Sequence, residues 1–361
     1  MEPNKGKENE LGTESVGKLL FRLSMPAIAA QVINVMYNMV DRMYIGHIPE
    51  VGSAALTGVG VCFPIIMIIS AFAYLMGMGG APRASIYMGK KDNDTAEKIL
   101  GNSFSALVIV SIILTVTVLV FQEPLLYLFG ASENTISYAK SYMTIYAIGT
   151  IFVQLTLGMN AFISAQGFST ISMMTVIIGA VTNIILDPIF IFGFNMGVQG
   201  AAVATVLGQW LAMFIVILPV FRRFPVFSGR VLPADCIRIY RAGLPAIAMQ
   251  SLNTLYIVGL NLVLKQFSES AVLVLGIYYK LQTFFFIPLM GLQQVILPLI
   301  SFYHGAEQPQ RERQVLGCSI KLSLAVMLTA LGAFMIAPEG LLSIFTAELA
   351  VLSIGCIGLR I

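Results

Sequence analysis

Two acidic residues, Asp41 and Asp187, lie in long apolar stretches and are the strongest candidates for chemistry. Asp187 follows Asn183 by four residues, so both side chains project from one face of a helix. An aspartate near the centre of a spanning helix costs about 2.5 to 3.5 kcal/mol on insertion scales, so its presence predicts a function. In the alternative interpretation, Asp41 lies at the membrane interface and pairs with the adjacent Arg42.

Thr205 adds a hydroxyl to this set, in a run of small residues that favours close helix packing. Counting about 1.5 Å per residue from the predicted outer turns puts Asp41, Asn183, Asp187 and Thr205 about 8 to 15 Å deep, so we expect one shared site. Carboxylate, amide and hydroxyl oxygens suit Na⁺. Two carboxylates in an apolar bundle also hold a proton strongly, because each disfavours ionisation of the other. The sequence therefore predicts a site for Na⁺ or H⁺ and leaves both ions open.

A stripe of amides precedes Asp41 on the same predicted helix. Gln31, Asn34, Asn38 and Asp41 recur at i, i+3, i+7 and i+10, along one helical face. In hydrocarbon such a face must turn toward the protein interior.

The composition predicts that membrane-spanning helices position these residues. Hydrophobic residues make up 57% of the 361 residues and charged ones 11%, against about 25% charged in soluble domains. The mean hydropathy is +0.86. Charge-free stretches cover 23–40, 51–82, 99–122, 141–186, 188–221 and 242–264, most of them long enough for one or two spanning helices. We predict turns near Gln166 and Gly167 and over 193–197.

Basic residues lie on alternate predicted loops, which indicates orientation. The groups are Lys18 and Arg22; Arg83, Lys90, Lys91 and Lys98; Arg222, Arg223, Arg230, Arg238 and Arg241; and Arg311, Arg313 and Lys321. By the positive-inside rule, the N-terminus is cytoplasmic and the protein is a multi-pass protein of the cell membrane. Basic clusters between spanning helices disfavour nucleic acid as a partner. Segment 1–17 is polar, and the next apolar stretch is too long for a signal-peptide core, so we expect no cleaved leader.

The sequence also contains an internal duplication. Residues 26–37 match 245–256 at an offset of 219, and two later blocks, 85–103 and 123–129, match 301–319 and 339–345 at an offset of 216. An even number of helices in the first unit makes the repeat parallel. We predict an all-α integral membrane fold of two six-helix bundles facing a central cavity, with about nine to ten transmembrane helices present.

The predicted organisation is a cytoplasmic tail over 1–17, a first bundle over 18–221, a cytoplasmic linker over 222–241 and a second bundle over 242–361. Residue 361 corresponds to about residue 145 of the first unit, so the second bundle is expected to be incomplete. The chain is then either a fragment or a truncated product, and the sequence leaves both open.

Several motifs together resemble the multidrug and toxic compound extrusion (MATE) family, closest to its MepA-like bacterial branch. They are 23–26 (Leu-Ser-Met-Pro), 40–46 (Val-Asp-Arg-Met-Tyr-Ile-Gly), Asn183-x-x-x-Asp187-Pro188 and the glycine- and alanine-rich run 197–205. The resemblance covers the chain from residue 18. It implies antiport, in which entry of Na⁺ or H⁺ drives export of organic, often cationic, amphipathic compounds.

The resemblance also implies a cation site at Asp41, Asn183, Asp187 and Thr205, with Asn160 and Tyr37 as neighbours. If sodium is the coupling ion, those first four residues would bind the metal. The second repeat has Ile257 and Leu260 where the first has Asn38 and Asp41, and Gln250 stands where some family members carry acidic groups. The cation site is therefore expected in the first bundle alone.

A substrate cavity is expected between the bundles. Its candidate lining residues are Gln31, Asn34, Asn38, Gln250, Asn253, Lys280 and Gln293. Lys280 either faces this cavity or extends to an interface. We expect no cofactor, a monomer, and no enzyme activity, since His47 and His304 lie in separate loops and no catalytic motif is present. The alternatives are a lipid-linked oligosaccharide flippase of the same superfamily, which would have a more basic cavity, and a truncated remnant that transports nothing.

Overall fold

The computed structural model describes residues 14–223, 233–264, 266, 269–343 and 349–360. Every regular element in these ranges is a helix. The elements are α1 (Val16–Gly46), α2 (Gly52–Gly89), α3 (Asn93–Leu128), α4 (Ile136–Ile148), α5 (Thr150–Ala165), α6 (Ser169–Pro188), α7 (Val198–Arg223), α8 (Pro233–Leu264), α9 (Glu269–Gly305), α10 (Pro309–Ile336), α11 (Pro338–Ser343) and α12 (Leu349–Arg360).

Seven of the described helices are long and apolar enough to cross a membrane, and the bent pair α4 and α5 would make an eighth span. Their outer faces are apolar: on α3, Ile112, Ile113, Val116 and Val120 are all more than half exposed. Exposed apolar surface of this extent suits contact with lipid tails rather than water. The protein is therefore a multi-pass membrane protein, and the predicted all-α membrane fold is confirmed. The described helices outside these eight spans are α8, the six-residue α11 and the 12-residue α12.

The predicted turns lie where the sequence indicated. The chain reverses between α5 and α6 at Gln166 and Gly167, and Gly167 has a positive φ of 84° that favours glycine. The second turn follows a wider helical turn, Ile189–Gly193, in which Phe194 N donates to Ile189 O at 2.9 Å. Pro188 directly precedes this wider turn. The helix therefore widens next to the residue that has no backbone N–H to donate.

Small residues bring the first six spans close together. α1 packs along α6, α2 packs along α3 and α5, and α6 packs along α7. α4 and α5 meet at a bend of 58°, where a side chain at Gly149 would overlap with Val206 of α7. The bend holds α5 against α2 and α7.

Helices of the second repeat pack against the first at one end of the molecule. α2 contacts α8 and α9, and α1 contacts α9. We call this the basic end, because Lys90 and Lys91 directly follow α2 here and Arg311 and Arg313 lie at the start of α10. The linker segment 224–232 and the tail 1–13 lie outside the described residues. The domain boundaries stay a prediction, and α8 begins at Pro233, inside the predicted linker.

Candidate functional site

The amide stripe of α1 lines a cavity, as the sequence predicted. Gln31, Asn34, Asn38 and Asp41 all belong to the cavity wall. Asn38 Nδ2 donates to the backbone oxygen of Asn34, one turn earlier, at 2.7 Å. A hydrogen bond within the helix satisfies one amide proton of Asn38 without a partner from another helix.

α6 and α7 supply the buried centre of the site. Asp187 is fully buried and Asn183 is 2% exposed. Asn183 Nδ2 lies 3.3 Å from Asp187 Oδ1 and 3.2 Å from Thr205 Oγ1, so it donates to both neighbours. The i, i+4 spacing aligns Asn183 with Asp187, and the small residues of α7 let Thr205 approach both.

Asp41 of α1 completes this arrangement. Its carboxyl group lies within hydrogen-bonding reach of the Asp187 carboxyl group. Two carboxyl groups at such a distance form a hydrogen bond only when they share a proton, and otherwise both need a cation. The predicted convergence of the two acids on separate helices is therefore present in the structure.

Three buried oxygens of this cluster lack a hydrogen-bond donor among the described residues. They are Asp41 Oδ1, Asn183 Oδ1 and Asp187 Oδ2. A buried acceptor without a partner costs about 1 to 3 kcal/mol, and more when it is charged. Three such acceptors from three side chains in one cluster form a set that a proton or a small metal cation would satisfy.

The cavity beside this cluster is large enough for a drug-sized molecule. Its volume is about 510 Å³, within the range of small-molecule sites. Aromatic and methionine side chains form much of the wall, among them Phe63, Met67, Tyr74 and Met78. Such walls adapt to ligands of different shape. Asn183, Thr205 and Asp41 line the same cavity, whereas Asp187 lies behind them.

The substrate-cavity candidates of the second repeat divide into three groups. Gln293 lines the cavity. Lys280 is exposed and lies outside the cavity wall, so the interpretation that placed it there is not supported. Gln250 and Asn253 lie on α8, and their side chains are outside the described residues.

Comparison with known proteins decides the family. The family model MatE matches residues 26–189 and 245–361, most of the chain. The chain belongs to the MatE family. The family membership predicted from the motifs is therefore confirmed.

Relatives within the MatE family include multidrug export proteins. Multidrug export protein MepA of Staphylococcus haemolyticus is 27% identical over 341 residues, which are 92% of this chain and 74% of that protein. MepA of Staphylococcus saprophyticus is 25% identical over 352 residues, which are 96% of this chain and 77% of that protein. A crystal structure of a MATE protein in a bent conformation has a TM-score of 0.90 at 22% identity, covering 99% of this chain and 80% of that one. At that identity the likeness shows the fold.

The neighbours that the MatE resemblance implied, Tyr37 and Asn160, both line the cavity. Asn160 Oδ1 is a further buried oxygen with no donor among the described residues.

Tyr142 of α4 was missed by sequence reasoning. It is 4% exposed, and its hydroxyl lies within reach of Thr205 and near Asp41. Tyr138, Tyr142 and Tyr146 recur every four residues on α4, and Tyr146 also lines the cavity, so this spacing is the signal that could have indicated Tyr142.

Arg42 faces the MatE cavity in a way that the sequence did not predict. Its guanidinium carbon lies 5.3 Å from the centre of the Phe63 ring, and both residues line the cavity. The ion pairs among the described residues do not include one between Arg42 and Asp41, which the alternative interpretation expected. Asp41 and Arg42 are the only charged residues in the described cavity wall.

Proposed function

We propose that this MatE protein is an antiporter that couples entry of Na⁺ or H⁺ to export of organic, often cationic, amphipathic compounds. The observation that carries this proposal is the cluster of Asp41, Asn183 and Asp187. Its three buried oxygens lack donors in the part of the chain that the structure describes, and the cluster borders a cavity of drug size. The names of the MepA relatives support export of more than one compound.

Asp41 and Asp187 would link cation binding to movement, because they lie on different helices. When both are ionised they repel each other, and a bound proton or sodium ion removes that repulsion and draws α1 toward α6. α1 also packs on α9 of the second repeat, where Gly291 lies against Ile28. Pro26 interrupts the hydrogen bonding of α1 close to that contact. A shift of α1 at the acid pair is thereby passed to the second bundle and changes the balance between the two open states.

The basic end would face the cytoplasm of a cell-membrane protein, by the positive-inside rule. Substrate then leaves from the opposite end, where the outer part of the cavity is lined by Arg42 and Leu56. The described cavity wall has one cationic residue and one acidic one, which does not match the basic cavity of an oligosaccharide flippase.

Transport by the reconstituted chain tests this proposal. Proteoliposomes receive a sodium gradient alone, a pH gradient alone or neither, and uptake of a fluorescent organic monocation is followed. We expect at least one gradient to raise the initial rate by about tenfold or more. Equal rates under all three conditions would contradict cation coupling, and no transport under any of them would contradict the transporter assignment.

Arg42→Gln is expected to change the preference between organic dications and monocations. At about 10 Å and an effective dielectric constant of about 20, one fixed positive charge disfavours each further positive charge by about 1.7 kcal/mol, or about fifteenfold. The ratio of dication to monocation transport should rise by that factor. Arg42→Lys keeps the charge and should keep the ratio, so an unchanged ratio in Arg42→Gln would contradict the assigned role.

A further inference from the structure

Two glycines meet at the basic end, where α2 and α9 both finish. A β-carbon on Gly89 would overlap with the carbonyl oxygen of Phe302, and a β-carbon on Gly305 would overlap with the carbonyl oxygen of Ile86. Neither position has room for any side chain. The two helix backbones are therefore in direct contact here, which only glycine permits.

The contact is made by equivalent positions of the two repeats. The offset of 216 residues relates Gly89 to Gly305, and it also relates Ile86 to Phe302. Gly89 lies against the carbonyl group three residues before Gly305, and Gly305 lies against the carbonyl group three residues before Gly89. A reciprocal contact of this kind lies on the approximate two-fold axis between the repeats.

The same offset relates two prolines above the glycines. Pro82 of α2 corresponds to Pro298 of α9, each inside its helix and seven residues before the glycine. Both prolines line the cavity, whereas the glycines do not. Seven residues of helix span about 10 Å, so the glycine contact lies about 10 Å beyond the prolines toward the basic end.

Further contacts close the rest of this end. Gly79 lies against the backbone of Ile239 on α8, and Gly243 of α8 lies against that of Leu75. On the other side, an apolar cluster joins α1 to α9 and α10. It contains Val16, Leu19, Leu20, Leu23, Ala27, Leu292, Val295, Leu299, Tyr303 and Val315. The cluster is made of side chains, whereas the glycine contact leaves no room for an added atom.

We propose that the Gly89 and Gly305 pair is the inner gate of the transporter, closed in this structure, and that Pro82 and Pro298 are the hinges on which it opens. A proline removes a helix hydrogen bond and favours a bend, so the last two turns of α2 and α9 swing as units. The contact between the two helix backbones itself closes the path. No side chain has to be withdrawn when the gate opens. The proposal rests on the alternating access of the proposed function.

Accessibility of the cavity from the basic side tests the gate without any transport measurement. The four native cysteines are replaced by alanine, and Gln293→Cys places one thiol in the cavity wall. A membrane-impermeant maleimide is applied to one side at a time. With both glycines intact we expect labelling from the side opposite the basic loops. Gly89→Ala and Gly305→Ala should each raise the labelling rate from the basic side by about tenfold, which corresponds to about 1.4 kcal/mol.

Gly317→Ala and Gly332→Ala are matched controls, because a β-carbon at either position has no heavy atom of a neighbouring described residue within 4 Å. Neither should change labelling from the basic side. An equal rise in the controls, or a rise in only one of the two gate variants, would contradict the reciprocal gate. No rise in either gate variant would overturn it. Loss of labelling from both sides would also overturn it, since the contact would then be needed for folding rather than closure.

The hinges are tested in the same assay. Pro82→Ala and Pro298→Ala restore a hydrogen-bond donor to each helix and should stiffen it in the closed position. In the Gly89→Ala background, Pro82→Ala is expected to lower labelling from the basic side again, by about threefold or more. Unchanged labelling would remove the hinge from the proposal and leave the glycine gate. Because labelling does not depend on an ion gradient, these results stay interpretable even if cation coupling fails its own test.

Discussion

Asp187→Asn is expected to abolish cation-driven export, with a fall of at least about thirtyfold in the initial rate. Asparagine has nearly the shape of aspartate and can still accept the hydrogen bond from Asn183 at the position of Oδ1. It carries no charge, so the cluster loses half of its attraction for a proton or a sodium ion. Loss of a carboxylate that pairs with a buried cation costs about 2 to 5 kcal/mol, which is the basis of the expected factor.

Substrate exchange without an ion gradient separates coupling from folding. In the Asp187→Asn variant, this exchange should stay within about threefold of the parent, because the described cavity wall does not include Asp187. Asp94→Asn makes the same chemical change at an exposed position in the first turn of α3 and should leave both measurements unaltered. Gradient-driven export that persists in Asp187→Asn would contradict the assigned site.

The acid pair was predictable from sequence because depth and periodicity constrain it. An i, i+4 pair fixes Asn183 beside Asp187 on one helix whatever the rest of the fold does. Helix geometry then converts the distance from each outer turn into depth, and Asp41 and Thr205 came out at the depth of Asp187. Spans of known thickness supply a common scale that a soluble fold does not offer.

Which helices lie beside one another was not predictable from the sequence in the same way. Tyr142 reaches Thr205 from α4, which meets α5 at a bend of 58°, and the sequence did not indicate that bend. The duplication related Gly89 to Gly305, but it could not show that the two glycines touch. Equivalence between the repeats indicates which positions share an environment. Contact between those positions depends instead on how the two bundles are oriented about the approximate two-fold axis.

Gly208→Val is expected to reduce cation-driven export by about tenfold through separation of α6 and α7. A β-carbon at position 208 would lie 2.8 Å from the carbonyl oxygen of Gly179, whereas ordinary contacts begin near 3.4 Å. The helices must therefore move apart by about 0.6 Å or more. Asn183 and Thr205 lie one turn away, and their hydrogen bond of 3.2 Å would lengthen beyond the usual limit. A hydrogen bond in a charged cluster contributes about 1.5 kcal/mol or more, which gives the factor.

A double-mutant cycle distinguishes this mechanism from general destabilisation. If Gly208→Val acts by breaking the bond between Asn183 and Thr205, Thr205→Val should cause a similar loss, and the two changes together should cost little more than either alone. Gly332→Val adds the same side chain where a β-carbon has no described neighbour within 4 Å, and it should leave export within about twofold of the parent. Additive losses would mean that valine at position 208 harms the helix pair in some other way. The close contact between Gly208 and Gly179 would then not be the feature that holds Thr205 beside Asn183.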